Sequence, residues 1–314
     1  REIVRGAVES LARIEDGVEV VLIGREAEIR VHLDGLNGWQ GRLSVVDTPE
    51  VIEMDESPVD AVRTKPNSSI MRMAAMAARG EIDAVISAGN TGACVAACQL
   101  RMRPLPGVHR PGIAVVTPTF HGPVMLCDVG ANIEAKPHHL AQYALMASIY
   151  SECVLGVETP RVGILSVGEE DAKGTANVKH AAHLIREQGR MNFIGNVEGR
   201  DIFRGLCDVA VCDGFVGNIT LKLIEGLAEG LFKTLRRELT QASPELVRSI
   251  EPIIQQVWAR HDYSEYGGAP LLGVNGVCII CHGSSDHRAI DNAVLVAKRF
   301  VETRINSEIT DRLG

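Results

Sequence analysis

Four times along this 314-residue chain, an apolar run of four residues gives way to a loop rich in glycine and asparagine, with helical spacing after it. The runs are Ala84–Ser87, Val124–Cys127, Val162–Leu165 and Val209–Cys212. Their loops carry Gly89-Asn90-Thr91-Gly92, Asp128-Val129-Gly130-Ala131-Asn132, Gly168-Glu169-Glu170 with Lys173-Gly174, and Asp213-Gly214-Phe215-Val216-Gly217-Asn218. Short continuous apolar runs mark strands buried on both faces, and strands alternating with helices predict an α/β fold, a mostly parallel sheet flanked by helices. In such sheets ligands bind where strands end. Glycine admits close backbone approach, and the free N–H groups of the next helix attract anions.

Upstream, Ile3, Val4, Ala7, Val8 and Leu11 form a helical stripe. Val18–Ile23 then reads as a strand, Arg25–Leu33 as a helix and Leu43–Val46 as a strand. The charged stretch from Pro49 to Pro66 carries three prolines and predicts a loop. Ser68 or Ser69 can cap a helix over Ile70–Arg79, and Arg101–Arg110 is a basic connector. Over 225–262 the character changes. Ser243-Pro244-Glu245 signals a helix start, and Leu246, Ile250, Ile253, Ile254, Val257 and Trp258 recur at helical spacing, with Pro252 as a kink. We read this as a helical tip on a single domain spanning 1–314, its stripe packing on the body, a second subunit or a membrane surface. A strand over Val277–Cys281 and a helix over Arg288–Arg304 close the chain.

Composition narrows the function classes. The chain is 46% apolar with net charge −8, enough for a large core and against general nucleic-acid binding. No apolar run reaches the roughly 18 residues of a membrane span, and the eight cysteines read as reduced thiols in a cytoplasmic setting. Cys127, Cys207 and Cys212 lie in apolar runs; Cys94 and Cys98 share a helix face without a partner at metal-ligand spacing. Cys278 and Cys281, three apart in a strand, point to opposite faces and are poorly placed for one metal. Core packing, with no metal and no cofactor, is the expectation.

The loops offer uncharged amides at Asn90, Asn132, Asn196 and Asn218, and hydroxyls at Ser87, Thr91 and Ser166. Lys65, Lys136, Lys173 and Lys222 lie in or just after such loops and suit an anionic substrate. The chain lacks G-x-G-x-x-G with its acidic partner, G-x-x-x-x-G-K-[ST] and G-x-S-x-G, which disfavours dinucleotide, P-loop and serine hydrolase chemistry. His282 and His287 with Asp286 could do acid–base or metal work, or cap a helix.

These loops resemble the PlsX family of phosphate acyltransferases. The likeness rests on Lys65-Pro66-Asn67-Ser68-Ser69, Ser87-Ala88-Gly89-Asn90-Thr91-Gly92-Ala93, Asp128–Asn132 and Lys136-Pro137. It continues through Gly195–Asp201, Cys212–Asn218, Tyr263–Gly273 and His282–Ser285. Ser166 and Gly174-Thr175-Ala176 depart from the family pattern, while Lys173 is kept. The family opens with a strand and an Asp-Ala-Met-Gly-Gly-Asp loop, so the resemblance implies a strand ahead of Arg1.

The resemblance implies a phosphotransacetylase/isocitrate dehydrogenase-like fold and transfer of a fatty acyl group from acyl-acyl carrier protein to inorganic phosphate, for phospholipid synthesis. On this reading Lys173, Asn132 and Asn218 are catalytic, while Lys65, Ser87, Gly89, Asn90, Thr91, Lys136 and Asp213 bind phosphate or acyl substrate. Arg101, Arg103 and Arg110, or Arg236 and Arg237, would dock the acidic carrier. A homodimer, peripheral membrane contact and hand-over to a membrane acyltransferase are further implications. The alternatives are a coenzyme A-dependent phosphotransacetylase-like enzyme or an inactive acyl- or phosphate-binding module. A metal-dependent decarboxylating dehydrogenase would share the architecture, but no carboxylate cluster or nicotinamide site is found for it.

Overall fold

The computed structural model describes residues 1–243, 249–254, 257 and 266–313. Its elements run α1 (Glu2–Leu11), β1 (Val20–Gly24), α2 (Glu26–Leu33), β2 (Leu43–Asp47), α3 (Pro58–Thr64), α4 (Ser69–Ala78), β3 (Ala84–Ser87) and α5 (Thr91–Arg101). They continue with β4 (Gly112–Thr119), β5 (Gly122–Cys127), α6 (Pro137–Tyr150), β6 (Arg161–Leu165), α7 (Ala176–Gln188), β7 (Asn192–Val197) and β8 (Val209–Val211). The 29-residue α8 (Gly214–Ala242), β9 (Ala269–Leu272), β10 (Val277–Ile280), α9 (His287–Glu302) and α10 (Ile305–Leu313) complete them.

Eight strands form one sheet in the order β3-β10-β9-β4-β5-β8-β6-β7, and β1 and β2 pair in a second, parallel sheet. All four repeated runs, and the Val277–Cys281 strand, are present in the large sheet, and the two upstream predicted strands are β1 and β2. Strands β4, β7 and β9 were not anticipated, and β4 and β9 change the directions. Strand β4 pairs antiparallel with both β5 and β9, and β9 is antiparallel to β10. Two parallel blocks result, β3 with β10 and β5 with β8, β6 and β7, and they run opposite to one another along the sheet.

Period-two alternation builds the core. In β5, Val124 and Leu126 join the cluster under α4 and α5, whereas Met125 and Cys127 join the one under α6, α9 and α10. Strand β10 and the residue after it do the same: Cys278 faces one cluster and Cys281 the other, as their spacing predicts. Helix α6 is buried from His139 to Tyr150, because it is apolar all round and lies between the sheet and α7. A smaller core joins α1, β1, β2 and Leu33 of α2 to Val294 of α9.

Two predicted boundaries move. The Pro49–Pro66 loop contains α3, started by Ser57 with Pro58 in the first helical position, where its missing N–H is harmless. Glu225 begins nothing; it lies inside α8, which starts at Gly214. Residues 249–254 are helical and lean on α8 through an Arg236–Glu251 ion pair of 3.2 Å. Ile253 and Val257 of the predicted stripe are exposed, while Pro244, Glu245, Leu246 and Trp258 lie outside the described residues, as does the motif stretch 263–265.

Candidate functional site at the strand ends

The β5–α6 loop turns on Asp128, a fully buried carboxylate. Its Oδ1 accepts N–H groups from Ile113 at 2.9 Å, Gly130 at 3.1 Å and Ala131 at 3.0 Å, and its Oδ2 accepts that of Asn132 at 2.7 Å. Burial pushes its pKa up, and the four backbone donors oppose that rise. Helix α8 seats on this loop. Gly214 N–H donates to the Asn132 carbonyl at 2.8 Å, and Asp213 caps the helix by accepting from Val216 N–H at 2.9 Å. A Cβ at Gly217 would stand 1.9 Å from the Asp128 carbonyl oxygen, so only glycine permits the approach.

Neighbouring loops are tied to this one. Asn177, at the start of α7, donates to the Ala135 carbonyl just before α6 at 3.3 Å. Thr175 caps α7 through Val178 N–H, and Asn196 of β7 donates to the Glu170 carbonyl at 2.8 Å, steadying the loop that carries Lys173. The N-termini of α6, α7 and α8 therefore gather at the ends of β5, β6 and β8, with Lys136 just before α6 and Lys173 just before α7. Both lysines are exposed and neither is in an ion pair among the described residues. Asn218 is exposed in the first turns of α8.

The other expected ligands form a second group, and most of their side chains are already in use. Asn90 caps α5 by accepting from Ala93 N–H, while its Nδ2 reaches the carbonyls of Glu53, Met54 and Glu56 at 3.1, 3.3 and 3.1 Å. Lys65 Nζ donates to the Val51 carbonyl at 2.7 Å and pairs with Glu56 at 2.6 Å, and that hydrogen bond holds the Glu56 carboxyl below the usual range. Ser87 is buried and accepts from Gly89 N–H at 3.4 Å. Thr91 alone of this group's polar side chains is exposed, at the first position of α5.

Asn132 is also committed, its Nδ2 donating to the Pro111 carbonyl at 2.7 Å. Among the other lysines named above, Lys222 pairs with Glu225 at 2.7 Å. Sequence cannot tell free lysines from paired ones, because Glu56 reaches Lys65 only through the fold of the 49–66 segment. The three arginines do not make one patch. Arg101 lines a groove of about 350 Å³ with Arg72 and Arg79, Arg103 sits in a left-handed turn at φ 65°, and Arg110 stands near His139. At the tip, Arg237 pairs with Glu238 at 3.0 Å. Asp286 caps α9, and His287 lies 2.7 Å from Glu9, so both already have partners within the fold. Glu169, Glu198 and Asp201 converge, but Glu198 binds Arg200 at 2.5 Å and Asp201 binds Arg204 at 3.5 Å, so these two acids are already matched.

A histidine cluster that sequence reading missed flanks Lys136. The rings of His109 and His138 lie 4.7 Å apart, and those of His138 and His139 4.3 Å apart. His139 Nδ1 accepts the Lys136 N–H at 3.2 Å, which requires the neutral ring at that nitrogen. Its pKa falls to about 4, first through burial and then through His138, His109, Arg110 and Lys136. An unfolded histidine takes up its proton near pH 6.5. The unfolded chain therefore gains protons that the folded one refuses, and stability drops as pH falls from 6.5 towards 4. A Tm–pH series should show a shallower acid slope for His139→Asn than for the wild type. Parallel curves would assign the slope to other groups.

The chain as a whole is similar to known proteins. A family model described as a fatty acid synthesis protein covers residues 1–308. The phosphate acyltransferase of Pelotomaculum thermopropionicum is 46% identical over 311 residues, 98% of this chain and 90% of that protein. That of Halothermothrix orenii is 46% identical over 310 residues, 97% and 92% of the two chains. Among solved structures, a phosphotransacetylase from Streptococcus pyogenes superposes with a TM-score of 0.66 at 14% identity, covering 95% of this chain and 91% of its own. The EutD phosphotransacetylase from Staphylococcus aureus gives 0.62 at 16%, covering 94% and 89%. A 4-hydroxythreonine-4-phosphate dehydrogenase from Klebsiella pneumoniae follows at 0.54 and 14%, with 96% and 93% covered. At such identities the likeness is one of fold, a phosphotransacetylase-like α/β architecture shared with dehydrogenases. The match along nearly the whole sequence goes further: this chain, about 46% identical to phosphate acyltransferases over nearly its whole length, belongs to the fatty acid synthesis protein family.

Proposed function

We propose that the protein transfers a fatty acyl group from the thioester of an acidic acyl carrier protein to inorganic phosphate, supplying acyl phosphate for phospholipid synthesis. A phosphate oxygen attacks the thioester carbonyl, the C–S bond breaks, and the carrier leaves as its thiol. The observation that carries this reading is the pair of free lysines, Lys136 and Lys173, set before helix N-termini on a loop frame built around Asp128. Those N-termini and ammonium groups hold phosphate, and Asn218 offers an uncommitted amide to the oxyanion that develops. Thr91, exposed at the first position of α5, would offer its hydroxyl to the substrate.

The deciding experiment offers purified protein phosphate with acyl carrier protein and coenzyme A thioesters side by side. Acyl phosphate from the carrier thioester supports the proposal. Preference for coenzyme A would favour the phosphotransacetylase-like reading, and no turnover with either would favour a binding module. Lys173→Ala should lose about 100-fold or more in kcat/KM, in line with removal of one charged transition-state contact. Activity within threefold of wild type would remove Lys173 from the mechanism.

The protein is proposed to work as a homodimer at the membrane surface. Phe215, Ile219, Leu223, Leu227, Leu231 and Leu235 stand exposed four residues apart along α8, a longer apolar stripe than monomers usually show to water. No helix is long and apolar enough to cross a membrane among the described residues, so contact at the tip would be peripheral. Light scattering should return twice the chain mass for the wild type and the chain mass for Leu223→Glu/Leu227→Glu. A monomeric wild type would overturn this part.

A further inference from the structure

We infer that the sulfur atoms of Cys94, Cys98 and Cys278, brought together behind the β3–α5 loop, form a buried site for a soft monovalent cation, Cu(I). The sequence gives no hint of it, since Cys278 is 184 residues from Cys94 and 180 from Cys98. Folding supplies the third ligand: α5 lies across β10 and turns Cys94 and Cys98, one helical turn apart, towards the same face of the strand as Cys278. All three residues have no solvent exposure. Cys94 Sγ is 3.8 Å from Cys278 Sγ, Cys98 Sγ is 3.6 Å from it, and all three lie within 4.8 Å of one another.

The two short separations, which thiols in contact also show, are of the size that a metal–thiolate centre needs. With metal–sulfur bonds of about 2.3 Å, sulfurs lie about 3.8 Å apart in tetrahedral and about 4.0 Å apart in trigonal geometry. Thiolate sulfur selects soft ions, Cu(I) and zinc foremost. Structural zinc is closed by four ligands, and here the obvious fourth, Cys281, belongs to the opposite core cluster. Charge favours the same choice. A monovalent ion on two thiolates and one thiol leaves a single negative charge in the core, beside the N-terminal turn of α5 where Cys94 sits. Binding displaces two thiol protons to solvent and transfers no electrons. Strand β3, which covers the site together with α5, is the edge of the large sheet, and opening of that edge is the entry route.

The test is anaerobic titration of the whole protein with Cu(I) against a coloured Cu(I) chelator. The wild type should retain one ion per chain, show three sulfur neighbours by X-ray absorption, and melt several degrees higher when loaded. Cys278→Ala and Cys94→Ala should each weaken binding about 100-fold or more, with Cys153→Ala as an unchanged thiol control. Circular dichroism before loading separates lost binding from lost fold, and the wild-type stoichiometry stands without any variant. Failure of the wild type to retain one ion, equal retention by Cys278→Ala, or four-coordinate zinc held in place of Cu(I) would overturn the inference.

Discussion

Asp128→Ala should be the most damaging single substitution of a polar residue in this protein, lowering Tm by about 10 °C and abolishing detectable acyl phosphate formation. The carboxylate is fully buried and accepts four backbone N–H groups, from Ile113, Gly130, Ala131 and Asn132. Alanine leaves those donors without partners where water does not reach them, a loss of about 3–5 kcal/mol. At about 2–4 °C per kcal/mol for a chain of this size class, that gives the stated shift. Asp128→Asn keeps the shape and one acceptor but turns an NH2 towards an N–H donor, so its loss should be intermediate. Differential scanning calorimetry and the acyl phosphate assay read both effects. An Asp128→Ala protein with wild-type Tm would show that the loop is held by something other than this carboxylate.

Gly217→Ala should come second, and its effect is steric. The new methyl would stand 1.9 Å from the Asp128 carbonyl oxygen and 2.9 Å from Cys212 Sγ, far inside van der Waals contact. Two backbone segments must separate, at a cost of about 3 kcal/mol or more by comparison with overpacked cores. The matched control lies on the same helix. Gly226 has nothing within 4 Å of an added Cβ, so Gly226→Ala should leave Tm unchanged or raise it slightly through helix propensity. A Tm fall of about 8 °C for Gly217→Ala beside none for Gly226→Ala is the expected contrast. Equal Tm values would mean that α8 does not rest on the Asp128 loop in solution.

The apolar runs announced the strands they became, because a strand buried on both faces needs little else to declare itself. Strand β4 escaped notice although Gly112–Thr119 is rich in Val, Ile and Thr, because the repeated strand–loop–helix phrase predicts parallel neighbours and β4 closes an antiparallel hairpin. Its turn is carried by Thr119, which donates to the Gly122 carbonyl and accepts the His121 N–H, a local signal weaker than the flanking runs. At the site, the glycine-rich loops were legible because their signal is local, whereas Asp213 and Asn90, read as substrate ligands, and Thr175 turn out to cap the helices they precede. What could not be read was commitment. Asn90 and Asn132 look like ligands in sequence, yet their amides are spent on Glu53, Met54, Glu56 and Pro111 carbonyls that only tertiary folding brings near.

The seating of α8 on Gly217 also has a mechanical meaning. At 1.5 Å per residue its 29 residues make a rod about 43 Å long, with the fulcrum one turn from its inner end. A tilt of about 3° at that fulcrum swings the outer end by about 2 Å, while the inner end, which touches Asp128 and Asn132, moves by only a few tenths of an ångström. Whatever grips the outer part of this helix therefore holds the long arm of a lever whose short arm bears on the loop that frames the site.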